Sequence, residues 1–136
     1  MDKDIIINKS EVIERCIHRI LEEYDNDINN LKNYTKQDSI ILNIQRACEA
    51  CIDLAMHVVS EKKLGVPQIS REVFDILKDH GIIDDHISSR LKAMVGFRNI
   101  AVHDYQNLKI EIVERIIQSH LNDMREFAGK MIRLLG

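Results

Sequence analysis

The 136-residue chain contains no tryptophan, one proline and five glycines. So few turn formers and helix breakers argue against a turn-rich all-β protein and for long helices. Three phenylalanines and three tyrosines are the whole aromatic content. That is too little for a platform that stacks single-stranded nucleic acid. Positive charge is not in excess either. The net charge is −3, so no global field attracts nucleic acid, and any such contact must come from local basic groups. No apolar run approaches the roughly 20 residues that span a bilayer. Ile5-Ile6-Ile7 is too short for a signal-peptide core and follows Asp2 and Asp4, so a cytoplasmic protein is expected. Cysteine is sparse and odd in number: Cys16, Cys48 and Cys51 suit a reducing compartment. Cys48-x-x-Cys51 has no second pair to complete four zinc ligands, and both positions fall on the apolar side of a helical pattern, so they read as core. Neither a metal nor a cofactor is expected.

What is present is amphipathic helix. Hydrophobic residues make up 45% and charged residues 30%, the balance of a soluble globular protein, and the length fits a single domain spanning residues 1–136. The first helix is predicted from about Ser10, as N-cap, to Asp25, with Val12, Ile13, Cys16, Ile17, Ile20, Leu21 and Tyr24 at helical spacing. The asparagine-rich stretch Asp25 to Gln37 reads as a connection anchored by Leu31 and Tyr34. A second, most buried helix is predicted from Asp38 to Lys62, closed by Gly65-Val66-Pro67. Ser70 caps a short third helix that stops at Gly81. A fourth starts at Asp84 or Asp85 and runs past Arg98. One last helix is predicted from Asn107 to Leu135. Together these give an all-α protein, an antiparallel four-helix bundle with one short additional helix.

The stretch Arg98-Asn99-Ile100-Ala101-Val102-His103-Asp104-Tyr105 carries most of the chemistry. A guanidinium holds phosphate through paired hydrogen bonds, and an imidazole exchanges protons near neutral pH. Together they are the minimum equipment for cutting RNA without a metal. On a continuous helix, however, residues 98 and 103 lie about 140° apart around the axis, whereas 98 and 105 nearly align. Either the helix loosens between Arg98 and His103, or the two meet across a symmetric dimer. A plainer account pairs Arg98 with a surface carboxylate, caps the helix C-terminus with His103 and packs the Tyr105 ring on the bundle. The remaining histidines, His18, His57, His80, His86 and His120, form no ligand-like i, i+4 pair and read as surface or structural groups. Glu22-Glu23 and Asp84-Asp85 read as a solvated face and a helix start.

The motif and its setting resemble HepT-type toxins of the HEPN superfamily. Arg98, His103 and Tyr105 match the Arg-x4-His-x-Tyr signature of that group without a gap, with Asn99 after the arginine. The likeness extends over residues 38–105: Arg46, Ala47, Glu49, Ala50 and Asp53 in the second helix, the Gly65-Val66-Pro67 turn, Phe74-x-x-Leu77, Gly81-Ile82-Ile83-Asp84, and Met94-Val95-Gly96-Phe97. The resemblance implies a HEPN-like dimer and a metal-independent endoribonuclease whose substrate is RNA. Arg98 and His103 would be catalytic, with Asn99, Asp104 and Tyr105 in support. His103 would remove the 2′-hydroxyl proton and leave a 2′,3′-cyclic phosphate. Arg98 would stabilise the phosphoryl oxygens. Asn99 would orient the phosphate or His103, and Asp104 would bias the imidazole tautomer. The resemblance also implies a partner, an MntA-type nucleotidyltransferase antitoxin, which silences the toxin by AMPylation of Tyr105 from ATP. Two other functions compete with this one. The first is a non-catalytic helical module that partners a minimal nucleotidyltransferase. The second is a purely structural helical dimer.

Overall fold

The computed structural model describes residues 2–136, and every regular element among them is helical. Six α-helices, α1 (Lys3–Tyr24), α2 (Tyr34–Glu61), α3 (Glu72–Asp79), α4 (Asp85–His103), α5 (Ile110–Ser119) and α6 (Leu121–Arg133), are joined with two 3-10 turns, Ile28–Lys32 and Tyr105–Asn107. The expected all-α bundle forms around α2, which touches α1, α3, α4 and α6. Its buried band runs from Ile40 and Ile41 through Cys48, Cys51 and Ala55 to Val59, so small and β-branched residues let several helices approach one axis. Phe74 of α3 and Phe127 of α6 meet edge-to-face in that core, ring centroids 5.6 Å apart, and truncating either to alanine costs about 3–5 kcal/mol. No helix among the described residues is long and apolar enough to cross a membrane.

Several helix ends differ from the sequence reading. Helix α1 begins at Lys3, because the Asp2 carboxylate caps the backbone amides of Asp4 and Ile5 at 3.0 and 3.4 Å. Ile6 is thereby fully buried. Ser10 is not a cap: it lies inside α1, and its hydroxyl donates to the Ile6 carbonyl at 2.8 Å. The helix closes on Asp25 and Asn26, both left-handed at φ 47° and 52°, which short polar side chains tolerate. Helix α2 starts four residues before the expected Asp38, because the Asn33 side chain accepts from the Lys36 amide at 3.1 Å. Leu31 anchors the connection and is fully buried, but Tyr34 is 79% exposed and anchors nothing. The α2 end is set by Lys63 at φ 54° with Leu64 N–H donating to the Val59 carbonyl, before Gly65 is reached. The Ser70 side chain does not cap α3; the Glu72 carboxylate instead reaches back to the Gln68 amide at 2.8 Å. Gly81 stops α3 as expected, at φ 73°, where a side chain would strain the backbone. Asp84 caps α4 by accepting from the Ile87 amide at 2.8 Å.

The largest correction is at the C-terminal end, where the predicted single helix is broken at His120. No glycine or proline causes the break; tertiary contacts do. Arg90 of α4 donates from Nη2 to the Ser119 carbonyl at 3.0 Å and from Nε to Asp123 at 2.8 Å. His120 Nδ1 lies 3.2 Å from the same carboxylate. The carbonyl left unpaired at the break thus has a partner on another helix.

Candidate active site

Two antiparallel packings place the motif. Lys9 pairs with Asp53 while Cys16, further along α1, lies near Arg46, so α1 and α2 run in opposite directions. Cys48 lies near Arg98 and Asp38 bonds Tyr105, so α2 and α4 do likewise. The C-terminal end of α4 is therefore laid along the N-terminal half of α2.

Helix α4 stays α-helical from Asp85 through His103, and the Asp104 amide still donates to the Ile100 carbonyl at 2.8 Å. The helix does not loosen between Arg98 and His103. The two side chains accordingly leave the axis about 140° apart. Arg98 turns in toward α2 and is half-buried, whereas His103 and Asn99 are exposed. The Arg98 Nε is enclosed without a hydrogen-bond partner, and no carboxylate pairs with its guanidinium among the described residues. The simple surface ion pair is therefore not what holds Arg98. Its positive charge is felt by the Cys48 thiol, where burial pushes the pKa up to about 12 and Arg98 opposes that rise. Burial also raises Cys51 and Cys16, so all three sulfurs sit in the core as protonated thiols. Among the described residues no group of three or more His, Cys, Asp or Glu is placed to hold a metal ion.

Beyond His103 the chain turns. The Asp104 carboxylate accepts from Asn107 Nδ2 at 2.8 and 2.9 Å and so closes the 3-10 turn. It is not spent on the imidazole, whose side chain makes no hydrogen bond among the described residues. Tyr105 swings back to α2, its hydroxyl donating to Asp38 Oδ1, with the residue 40% exposed. Burial, the hydrogen bond and the Asp38 charge together push the Tyr105 pKa up to about 12. In the sequence Asp38 reads only as a helix start. Arg15 and Arg19 are passed over there as well; with Arg46, Ser39 and Asn43 they line a groove of about 560 Å³ between α1 and α2. Arg19 is paired with Glu22 and Glu23, whereas Arg15 and Arg46 have no ion-pair partner among the described residues. The i, i+4 spacing of Arg15 and Arg19 was the available signal.

The family model described as Ribonuclease HepT-like matches residues 13–131. The chain belongs to the HepT-like family. Among proteins similar to this HepT-like chain is an mRNA nuclease HepT of Shewanella oneidensis, 50% identical over 124 residues that cover 91% of this chain and 93% of that protein. A crystal structure of a toxin-antitoxin with AMP-PNP superposes at a TM-score of 0.90, with 48% identity over 96% of this chain and 98% of the other. A tri-AMPylated Shewanella oneidensis HEPN toxin in complex with MNT antitoxin superposes equally well, TM-score 0.90, at 49% identity over 98% of this HepT-like chain and 99% of that one. These likenesses extend beyond the 38–105 stretch in which the motifs are concentrated.

Proposed function

We propose that this chain, with residues 1–136 as one HEPN-like domain, is the toxin of a cytoplasmic HepT/MntA-type toxin–antitoxin pair, a metal-independent endoribonuclease working through Arg98 and His103. The observation that carries the reading is the state of Arg98. Among the described residues this half-buried guanidinium has an enclosed, unpartnered Nε and no carboxylate, which supports its reading as a site for an anion. The relative described as an mRNA nuclease makes mRNA the first substrate to test.

In the proposed reaction His103 takes the ribose 2′-hydroxyl proton, and the 2′-oxygen bonds to the adjacent phosphorus. Arg98 neutralises the charge gathering on the phosphoryl oxygens. The bond to the 5′-oxygen breaks as an acid protonates it, leaving a 2′,3′-cyclic phosphate. One imidazole cannot be base and acid in the same step. The unbroken α4 supports a site built from two copies, because one chain does not bring Arg98 and His103 to one face, and the second copy's His103 would then be the acid. Ile100 and Val102, 42% and 44% exposed beside His103, give such a homodimer apolar surface to bury. The Arg15, Arg19 and Arg46 groove supports an RNA path along α1 and α2, a local positive surface on a chain of net charge −3. Asn99, exposed beside Arg98, is free to reach the phosphate.

Neutralisation is proposed to occur by AMPylation of Tyr105 by an MntA-type nucleotidyltransferase, as the complexes of the similar toxins suggest. AMP there would add charge and bulk beside the phosphate site.

The test is cleavage of total RNA in EDTA by the wild type, Arg98→Ala and His103→Ala, with the product ends identified. Cleavage by the wild type alone with cyclic-phosphate ends, and a bell-shaped pH–rate profile, is the expected result. Equal cleavage by all three removes the assigned site. No cleavage by any, combined with retained binding to the nucleotidyltransferase, would favour the non-catalytic partner module.

A further inference from the structure

Asp38 caps nothing and pairs with no cation among the described residues. It lies exposed on the second turn of α2, and the single side-chain bond it makes is the one accepted from the Tyr105 hydroxyl, 67 residues away. The phenol is held to that carboxylate by a closed turn. Asp104 ends α4, Asn107 ties back to the Asp104 carboxylate, and the Leu108 amide donates to the Tyr105 carbonyl at 3.1 Å. The residue is 40% exposed, so part of the side chain faces solvent.

A phenol is a poor nucleophile until its proton leaves. With the Tyr105 pKa at about 12, only about one molecule in 10⁵ carries free phenolate at neutral pH. Attack by Tyr105 therefore needs a base that takes the proton while the new bond forms, and the side chain already in contact with that proton is Asp38. The contact suits the chemistry: a carboxylate is a weak base toward a resting phenol, but the phenolic proton becomes far more acidic as its oxygen bonds to phosphorus.

We propose that Asp38 is the general base for nucleotidyl transfer onto Tyr105, accepting the phenolic proton as the phenolic oxygen bonds to the α-phosphorus of ATP and pyrophosphate departs. This rests on the reading of Tyr105 as the modified residue. The chain that is silenced thus contributes part of the machinery of its own silencing, while the nucleotidyltransferase brings ATP and stabilises the departing pyrophosphate.

Asparagine separates the base from a mere anchor. In Asp38→Asn the amide oxygen still accepts the phenol hydrogen bond but cannot take its proton. Full-length chain, partner nucleotidyltransferase and ATP are mixed, and AMP addition is followed by intact mass, with peptide mapping of the site. The wild type is expected to gain AMP on Tyr105 and Tyr105→Phe none. Asp38→Asn is expected to lose at least about 10²-fold in kcat with the KM for ATP unchanged, and Asp38→Glu to recover most of that rate. If the wild type is modified at Tyr105 and Asp38→Asn is as fast, Asp38 is no base and the Tyr105 reading stands. If Asp38→Glu is no faster than Asp38→Asn, the carboxylate is an anchor and the proposal fails. A loss in Asp38→Asn that vanishes at saturating partner makes Asp38 a docking residue, with the same consequence. A wild type that gains no AMP, or gains it away from Tyr105, removes both readings. Melting curves confirm folding; if Asp38→Asn does not fold, Asp38→Glu against Asp38→Gln makes the same comparison.

Discussion

Helix α4 carries two arginines eight residues apart that live in opposite circumstances. Arg90 is fully engaged: its Nε bonds the buried Asp123, its Nη2 bonds the Ser119 carbonyl, and His120 completes the cluster. Arg98 is likewise half-buried, but among the described residues neither a carboxylate nor a carbonyl bonds its guanidinium, and its Nε is enclosed without a partner. Leaving a donor unsatisfied costs about 1–3 kcal/mol. The two ends of one helix thus divide the labour. Arg90 fixes the junction of α5 and α6, whereas Arg98 carries the cost of an enclosed, unpartnered Nε, as the proposed phosphate site requires.

The sharpest way to break this contrast is to remove the two side chains proposed to be catalytic. Arg98→Ala and His103→Ala should each lower RNA cleavage by about 10³-fold or more while leaving the melting temperature nearly unchanged. Arg98→Lys should recover little, since an ammonium cannot form the paired fork. A large drop in melting temperature for Arg98→Ala would make Arg98 a second Arg90. The converse substitution comes next. Asp123→Ala should cost about 2–3 kcal/mol in urea unfolding, because it strands Arg90 and His120 together, yet cleavage per folded molecule should hold. A smaller effect tests whether two copies of His103 act in one cleavage. After subunit exchange with an equal amount of His103→Ala chain, activity per wild-type chain should fall to about half, the share still in all-wild-type pairs. Unchanged activity would mean that each cleavage needs only one His103.

The smallest effect concerns the polar group just past the helix end. In a 295 nm titration Tyr105 should ionise near 12 rather than at about 10, and Asp38→Asn should bring it down. Between those two pH values the native chain holds a proton that the unfolded chain has lost. The contribution of the Tyr105 hydroxyl is therefore full below about pH 10 and fades as pH rises through 12. Tyr105→Phe should remove that slope.

The sequence foretold what short-range chemistry controls. The apolar band of α2, the helix start at Asp84-Asp85 and the Gly81 stop all formed as read, since each depends on residues within a turn or two. The start of α1 was missed because Asp2 and Asp4 were weighed as flanks of an apolar run and not as a cap with an acidic first turn. The His120 break was invisible because its cause, Arg90, sits on a different helix. At the site, Arg98, His103 and Tyr105 could be named from the resemblance to the Arg-x4-His-x-Tyr signature. That the helix stays closed between them, that Asp104 is committed to Asn107, and that Asp38 meets Tyr105 depend on packing between α2 and α4, which spacing does not encode.

The unbroken run of α4 through His103 has a consequence for dosage. On the two-copy reading, a rigid rod that aims Arg98 and His103 to different sides leaves a solitary chain inert. Below the pairing constant, activity then grows with the square of the number of chains, so halving the supply quarters the damage. A threshold of this kind tolerates leaky synthesis yet responds abruptly once accumulation outruns removal. The device needs no sensor beyond the stiffness of five residues of helix.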